Sequence, residues 1–229
     1  MSVGKSSPVG FFDSGVGGKC IESAFKRLCP AEKTIYIADS EHCPYGNKSK
    51  EEIIRLAESC TERLLAAGCK LVVVACNTAT AAAIDHLRAK YRSVPFVGIE
   101  PAVKPAALES RTGVVGVLAT QGTFSGRLYN ETKAKFAKDV TIIATVADEF
   151  VTIVERGEVD SPGTEAIVRK RIEPILAAGA DVLVLGCTHF PHLKRVIEKV
   201  AAGRARIIEP SEAVARQARR VLEERGLLA

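Results

Sequence analysis

The strongest constraint on this chain is that part of it is written twice. Leu65-Ala-Ala-Gly68-Cys-Lys-Leu-Val-Val-Val-Ala75-Cys76 superposes without a gap on Leu176-Ala-Ala-Gly179-Ala-Asp-Val-Leu-Val-Leu-Gly186-Cys187, at an offset of 111 residues. Three more pairs follow in the same order at nearby offsets. Val9-Gly-Phe-Phe-Asp13-Ser14 matches Val115-Gly-Val-Leu-Ala119-Thr120, Tyr36-Ile-Ala-Asp39 matches Thr145-Val-Ala-Asp148, and Ile99-Glu100-Pro101 matches Ile208-Glu209-Pro210. Ordered self-similarity marks a repeated unit, and a spacing of this size is that of a domain. The expectation is two similar halves: a first domain from residues 1–98 plus 211–229, and a second from 99–210.

Eight short apolar runs alternate with helical patterns: Val9 to Phe12, Thr34 to Ile37, Leu71 to Ala75, Pro95 to Ile99, Val114 to Leu118, Val140 to Val146, Val182 to Leu185 and Ile207 to Ile208. Most are continuously apolar, which suits parallel strands covered on both faces. The fold class is therefore α/β, with two pseudo-symmetric domains of mainly parallel sheet flanked by helices. The last segment reads as a helix that Ser211 caps and Gly226 stops, with Val214, Ala218, Val221 and Leu222 on one face, returning to pack on the first half.

The 229 residues, 47% hydrophobic and 26% charged, suit a globular core rather than disorder. The longest charge-free stretches, from Leu71 and from Thr112, fall short of the ~18 apolar residues a membrane span needs. MSVGKSSPVGFF has no apolar core of a secretory signal. A cytoplasmic protein is expected, and in that reducing compartment the seven cysteines should remain thiols. Nine Lys/Arg against five Asp/Glu between Lys194 and Arg225 make that end basic. They are interleaved with glutamates on an amphipathic helix without an aromatic ladder, which argues against nucleic acid as a partner.

Ligands of parallel sheets bind beyond the carboxyl ends of the strands. That rule puts Asp13-Ser14, Pro44-Tyr45-Gly46, Cys76-Asn77-Thr78, Thr120, Thr123 and Cys187-Thr188-His189 on ligand-facing edges, in a cleft between the two domains. Gly15-Val16-Gly17-Gly18-Lys19 is neither a Walker A nor a dinucleotide fingerprint, because Asp13 and Cys20 stand where those patterns need glycine or a hydroxyl. It reads as a tight turn whose helix-start amides suit an anion such as a carboxylate. No metal is expected, since Cys187-Thr188-His189-Phe190-Pro191-His192 lacks zinc-ligand spacing and no CxxC or HxxxH occurs. Cys20, Cys29, Cys43, Cys60 and Cys69 read as packing or surface thiols.

Cys76 and Cys187 differ from the other cysteines in lying at one register of the repeat. Each follows an aliphatic strand and precedes a polar pair that could open a helix, a setting that favours a thiolate. Inverting a stereocentre means removing a proton from one face and delivering one to the other, and two symmetry-related thiols suit that task. Asp13 and His189 are the nearest candidates to tune them, although an Asx-turn and a satisfied histidine remain open alternatives.

Phe12-Asp13-Ser14-Gly15-Val16-Gly17-Gly18, Asp39 with Pro44-Tyr45-Gly46, Ala75-Cys76-Asn77-Thr78-Ala79, Leu118-Ala119-Thr120 with Gly122-Thr123, Val154-Glu155-x-Gly157 and Leu185-Gly186-Cys187-Thr188-His189-Phe190-Pro191 together resemble the glutamate racemases, over residues 9 to 191. The resemblance implies a cofactor-independent racemase that interconverts L- and D-glutamate and supplies D-glutamate for bacterial peptidoglycan. It implies Cys76 and Cys187 as acid/base groups, Asp13 assisting Cys76, and His189 and Glu155 on the Cys187 side. Ser14, Pro44, Tyr45, Gly46, Asn77, Thr78, Thr120, Thr123 and Thr188 would cradle the substrate, with no cofactor and no pyridoxal lysine.

Lys19-Cys20 and Ala147-Asp148 depart from the family's usual pattern and leave aspartate, or both amino acids, open as substrate. A non-catalytic protein binding a small carboxylate is the alternative from another class, and it would not need paired thiols. A homodimer is left open.

Overall fold

The computed structural model describes residues 3–136 and 139–229. Met1 and Ser2, at the start of the segment read above as lacking a signal, lie outside the described residues. In chain order the elements are β1 (Val9–Asp13), α1 (Lys19–Leu28), β2 (Thr34–Ala38), α2 (Lys50–Ala66), β3 (Leu71–Val74), α3 (Asn77–Lys90), β4 (Phe96–Gly98), α4 (Val103–Glu109), β5 (Val114–Ala119), α5 (Gln121–Phe124), α6 (Arg127–Phe136), β6 (Thr141–Val146), α7 (Glu149–Glu155), α8 (Thr164–Ala177), β7 (Val182–Leu185), α9 (Lys194–Ala201), β8 (Arg206–Ile208) and α10 (Ser211–Glu224). Each of the eight apolar runs is a strand. None of the described helices is long and apolar enough to cross a membrane.

The strands make two four-stranded parallel sheets, ordered β2-β1-β3-β4 and β6-β5-β7-β8. The fold is thus α/β, with the same strand order twice. Val9 lies opposite Leu71, and Val115 opposite Val182. Those are the pairs that the sequence repeat equates, so the central strands obey it to the residue.

The outer strands do not. Val9 pairs with Thr34 where Val115 pairs with Ile142, which equates Asp39 with Ala147 rather than with Asp148. Likewise Val72 pairs with Phe96 where Leu183 pairs with Ile207, so Ile99 corresponds to Pro210, two residues from the match expected. A three- or four-residue similarity at a strand end cannot fix register, because a slip of one residue changes which face each side chain takes.

The chain divides into two compact units, Met1–Ile99 with Pro210–Ala229, and Glu100–Glu209. In the first, Val9, Phe11, Leu71 and Val73 of the sheet pack with Ile21, Ala24 and Phe25 of α1 and with Val214, Ala215, Ala218 and Leu222 of α10. The last helix therefore returns to the first half, as its amphipathic pattern predicts. Ser211 is not its cap: Pro210 precedes the helix without a side-chain cap, and the Ser211 hydroxyl donates to Cys20 Sγ at 3.2 Å. A serine whose hydroxyl finds a half-buried partner on α1 leaves the first turn uncapped.

In the second unit, Val103 and Ala106 of α4 and Tyr129 of α6 cover Val115, Val117, Val182 and Val184. The expectation of strands covered on both faces holds for β1, β3 and β7, which are buried throughout, and fails for the edge strand β6, where Thr141 and Ala144 are exposed. Helices α2 and α8 each run into the repeated Leu-Ala-Ala-Gly. There Gly68 at φ +77° and Gly179 at φ +88° take the left-handed conformation that turns the chain into the next strand.

Candidate functional site

Each unit carries one cysteine at the carboxyl end of its third strand, and the two are built differently. In the first unit Cys76 follows β3 and is the N-cap of α3, its sulfur accepting the Ala79 N–H at 3.4 Å. The start of a helix carries partial positive charge, so this contact favours charge on the sulfur. The thiol lies 3.7 Å from the Ser14 hydroxyl, to which it can donate. Asp13, the last residue of the neighbouring strand β1, is fully buried and accepts the Gly18 N–H at 2.9 Å. The glycine turn therefore does bind a carboxylate with a helix-start amide, but the carboxylate is the protein's own. A Cβ at Gly18 would come within 2.9 Å of both Ala75 Cβ and Asp13 Cβ, which explains the glycine sterically.

Tyr36 OH donates to the Gly15 carbonyl at 2.8 Å, and burial, followed by the charges of Asp13, Cys20 and Cys76, pushes this phenol far above its usual range. It remains a neutral donor beside the site. Asn77 is buried, yet neither its amide oxygen nor its amide nitrogen has a hydrogen-bond partner. A buried, unsatisfied amide costs stability unless something else completes it, and this one adjoins the thiol. Thr78 is buried in the same turn of α3.

Pro44 is exposed, Gly46 half-buried and Tyr45 buried. The Tyr45 hydroxyl donates to Asp39 Oδ2 at 2.5 Å, and the other oxygen of Asp39 contacts His42 Nδ1 at 2.8 Å. Tyr45, which the resemblance puts in the substrate cradle, thus has its hydroxyl proton engaged by Asp39. Asp39 was quoted above within a motif but given no role of its own. Its signal was available, since it sits just past the carboxyl end of β2, six residues before a tyrosine.

In the second unit Cys187 follows β7, but no α-helix starts there. A tight turn, with Phe190 N–H donating to the Cys187 carbonyl at 3.1 Å, leads into a 3₁₀ turn at Phe190–Leu193. The expected helix terminus is replaced by a relay: Cys187 Sγ lies 3.8 Å from His189 Nδ1, and His189 Nε2 lies 2.5 Å from Glu155 Oε1. His189 is buried and Glu155 partly exposed at the end of α7. Glu155 holds the imidazole at Nε2, and the next residue, Phe190, packs edge to face on Phe150 of α7, 5.2 Å between centroids.

Thr120 and Thr123 are buried and share a hydrogen bond of 3.0 Å between hydroxyls after β5, and Thr188 is buried beside Cys187. Of the departures noted above, Lys19 is exposed as the first residue of α1 and Ala147 is buried. Asp148 faces the Gln121 amide at 3.4 Å, and burial raises its carboxyl pKa against that hydrogen bond.

Residues 18–218 match the family model described as Asp/Glu/Hydantoin racemase. A glutamate racemase of Roseiflexus sp. (strain RS-1) is 44% identical over 228 residues, covering 100% of this chain and 84% of that protein. A crystal structure of a glutamate racemase isoform from Bacillus anthracis superposes with a TM-score of 0.88 at 33% identity, covering 98% of this chain and 85% of that one. The Escherichia coli glutamate racemase, solved with L-glutamate and the activator UDP-MurNAc-Ala, gives a TM-score of 0.87 at 33% identity, covering 95% and 83%.

Proposed function

Because this chain belongs to the Asp/Glu/Hydantoin racemase family, we propose that it interconverts L- and D-glutamate by proton transfer between two cysteines. The observation that carries this reading is that Cys76 and Cys187 occupy one register of two equivalent strands, each with its own acid/base support. A binding protein for small carboxylates has no use for that pairing. The relatives named above carry the choice of glutamate over aspartate.

In one direction a thiolate takes the α-proton of glutamate, leaving a carbanion, and the opposing thiol returns a proton to the other face. The first cysteine ends as thiol and the second as thiolate, so the reverse turnover starts from the product state. Each thiol must come within hydrogen-bond reach of the α-carbon from its own side. On the Cys76 side, the Ala79 amide and the neighbouring Ser14 hydroxyl support the sulfur's charge, while Asp13 holds the strand-to-helix turn. On the Cys187 side, His189 exchanges a proton with the sulfur and Glu155 supports its protonated form. Asn77, Thr78, Thr120, Thr123 and Thr188 provide amides and hydroxyls for the substrate's carboxylates and ammonium, the unsatisfied amide of Asn77 first among them.

In this role the protein is a cytoplasmic enzyme supplying D-glutamate for peptidoglycan, acting without metal or organic cofactor. Circular dichroism of purified protein with L-glutamate, D-glutamate and L-aspartate, without pyridoxal phosphate, tests the reading. The expected result is loss of optical activity from both glutamate enantiomers at a rate that EDTA leaves unchanged. Faster turnover of aspartate would reject the substrate assignment, and activity lost in EDTA and restored by zinc would reject the mechanism.

A further inference from the structure

We infer that Lys70 and Glu32 form a buried clasp that locks residues 227–229, and with them α10, onto the amino-terminal edge of the first unit's sheet. The side chains of both residues are almost fully buried, and Lys70 Nζ lies 2.7 Å from Glu32 Oε2. Two of the ammonium's donors go to main-chain carbonyls, Lys5 O at 2.5 Å and Leu227 O at 2.9 Å, while Glu32 Oε2 meets it as an ion pair without hydrogen-bond geometry. Glu32 in turn accepts the Ala229 N–H on its second oxygen, Oε1, at 2.8 Å. One ion pair thus ties the segment before β1 and the segment after α10 to the loops entering β2 and β3.

The placement is distinct from the chemistry. Lys70 stands immediately before β3 and Glu32 two residues before β2, so the pair spans β1 at the end of the sheet opposite to Asp13 and Cys76. The first unit is discontinuous, and its chain leaves at Ile99 and returns at Pro210. The helix that returns, α10, is joined to the rest of that unit only through the second unit and through what it packs on. After α10, Gly226 turns the chain at φ +65° and Leu227 and Leu228 pack against the apolar core. That turn carries the Leu227 carbonyl onto Lys70.

A surface pair would contribute little here, because solvent screens it. A buried pair binds differently: losing either charged partner strands the other away from water, and losing a carbonyl leaves a buried N–H donor unsatisfied, so these contacts favour forming together. Residues 227–229 are accordingly part of the cooperative core.

Hydrogen exchange on the full-length protein, read amide by amide, is the test. The Leu227 and Ala229 amides, which donate to Leu222 O and Glu32 Oε1, are expected to exchange in the same slow class as α10. In Lys70→Met, exchange across α10 and residues 227–229 should rise by about tenfold or more while β5 and β7 of the second unit keep their protection. Lys70→Met/Glu32→Leu leaves no stranded charge. It should recover melting temperature relative to Lys70→Met, yet leave residues 227–229 in fast exchange. Free exchange of Leu227 and Ala229 in the wild-type protein overturns the clasp, as does wild-type protection of that segment in the double variant. Should Lys70→Met not fold, the wild-type protein and the double variant still decide between these outcomes.

Discussion

At the scale of single residues, the thiols differ in chemistry even though none of the seven is in a disulfide. Burial pushes Cys60 from 9.0 up to about 12, with the Asp39 charge adding to the rise, and burial alone pushes Cys69 up to about 11. Both should therefore resist alkylation at neutral pH, when thiolate is the nucleophile. A pKa raised in the folded state means that folding favours the protonated thiol. The corresponding stability is complete below the unfolded value of 9.0 and is lost as pH rises through about 11 for Cys69 and about 12 for Cys60. Thermal melts should accordingly fall off from pH 9 upward, and the fall should be shallower in Cys60→Ala and in Cys69→Ala than in the wild type. An identical alkaline slope in all three proteins would remove these two thiols as its cause.

At the scale of elements, Gly186 links strand packing to the site. A Cβ there would meet the Leu118 carbonyl at 2.9 Å and Ala119 Cβ at 3.1 Å, where β7 closes on β5 one residue before Cys187. Gly186→Ala must shift the strand end. A misplacement approaching 1 Å costs about 10²-fold in rate, so kcat should fall by that order, with the Asn77 side of the site leaving KM within a few-fold. Unchanged kcat in a folded Gly186→Ala protein would mean that this close approach does not set the thiol's position.

The same elements mark how far the sequence could be read. All eight strands were legible because their apolar runs are short, dense and punctuated, and the central register was legible because twelve residues repeat without a gap. The outer registers were not, since the loops leading to β2 and β6 differ in length and brief similarities such as Ile-Glu-Pro recur out of register. The place of Asp13, Cys76 and Cys187 at strand ends was legible in the sequence. Partners chosen by three-dimensional proximity, such as Cys20 for Ser211, could not be named from it, because nothing in linear spacing encodes which hydroxyl meets which acceptor.

At the scale of the whole molecule, the two repeated units offer equivalent strand ends that are equipped differently, with a helix terminus at Cys76 and a His189–Glu155 relay at Cys187. If each thiol serves one face of the substrate, that asymmetry has kinetic consequences. Serine keeps the size of cysteine but is a much weaker acid, so Cys76→Ser and Cys187→Ser should each lose racemisation by about 10²-fold or more. One half-reaction survives in each variant: in deuterated water, the remaining thiol can still exchange the α-proton of one enantiomer. The two variants should therefore prefer opposite enantiomers. Glu155→Gln should share the preference of Cys187→Ser in weaker form, because a neutral amide supports the imidazolium less well than a carboxylate does. If Cys76→Ser and Cys187→Ser favour the same enantiomer, or if Glu155→Gln sides with Cys76→Ser, the two halves do not divide the proton transfer as their separate supports imply.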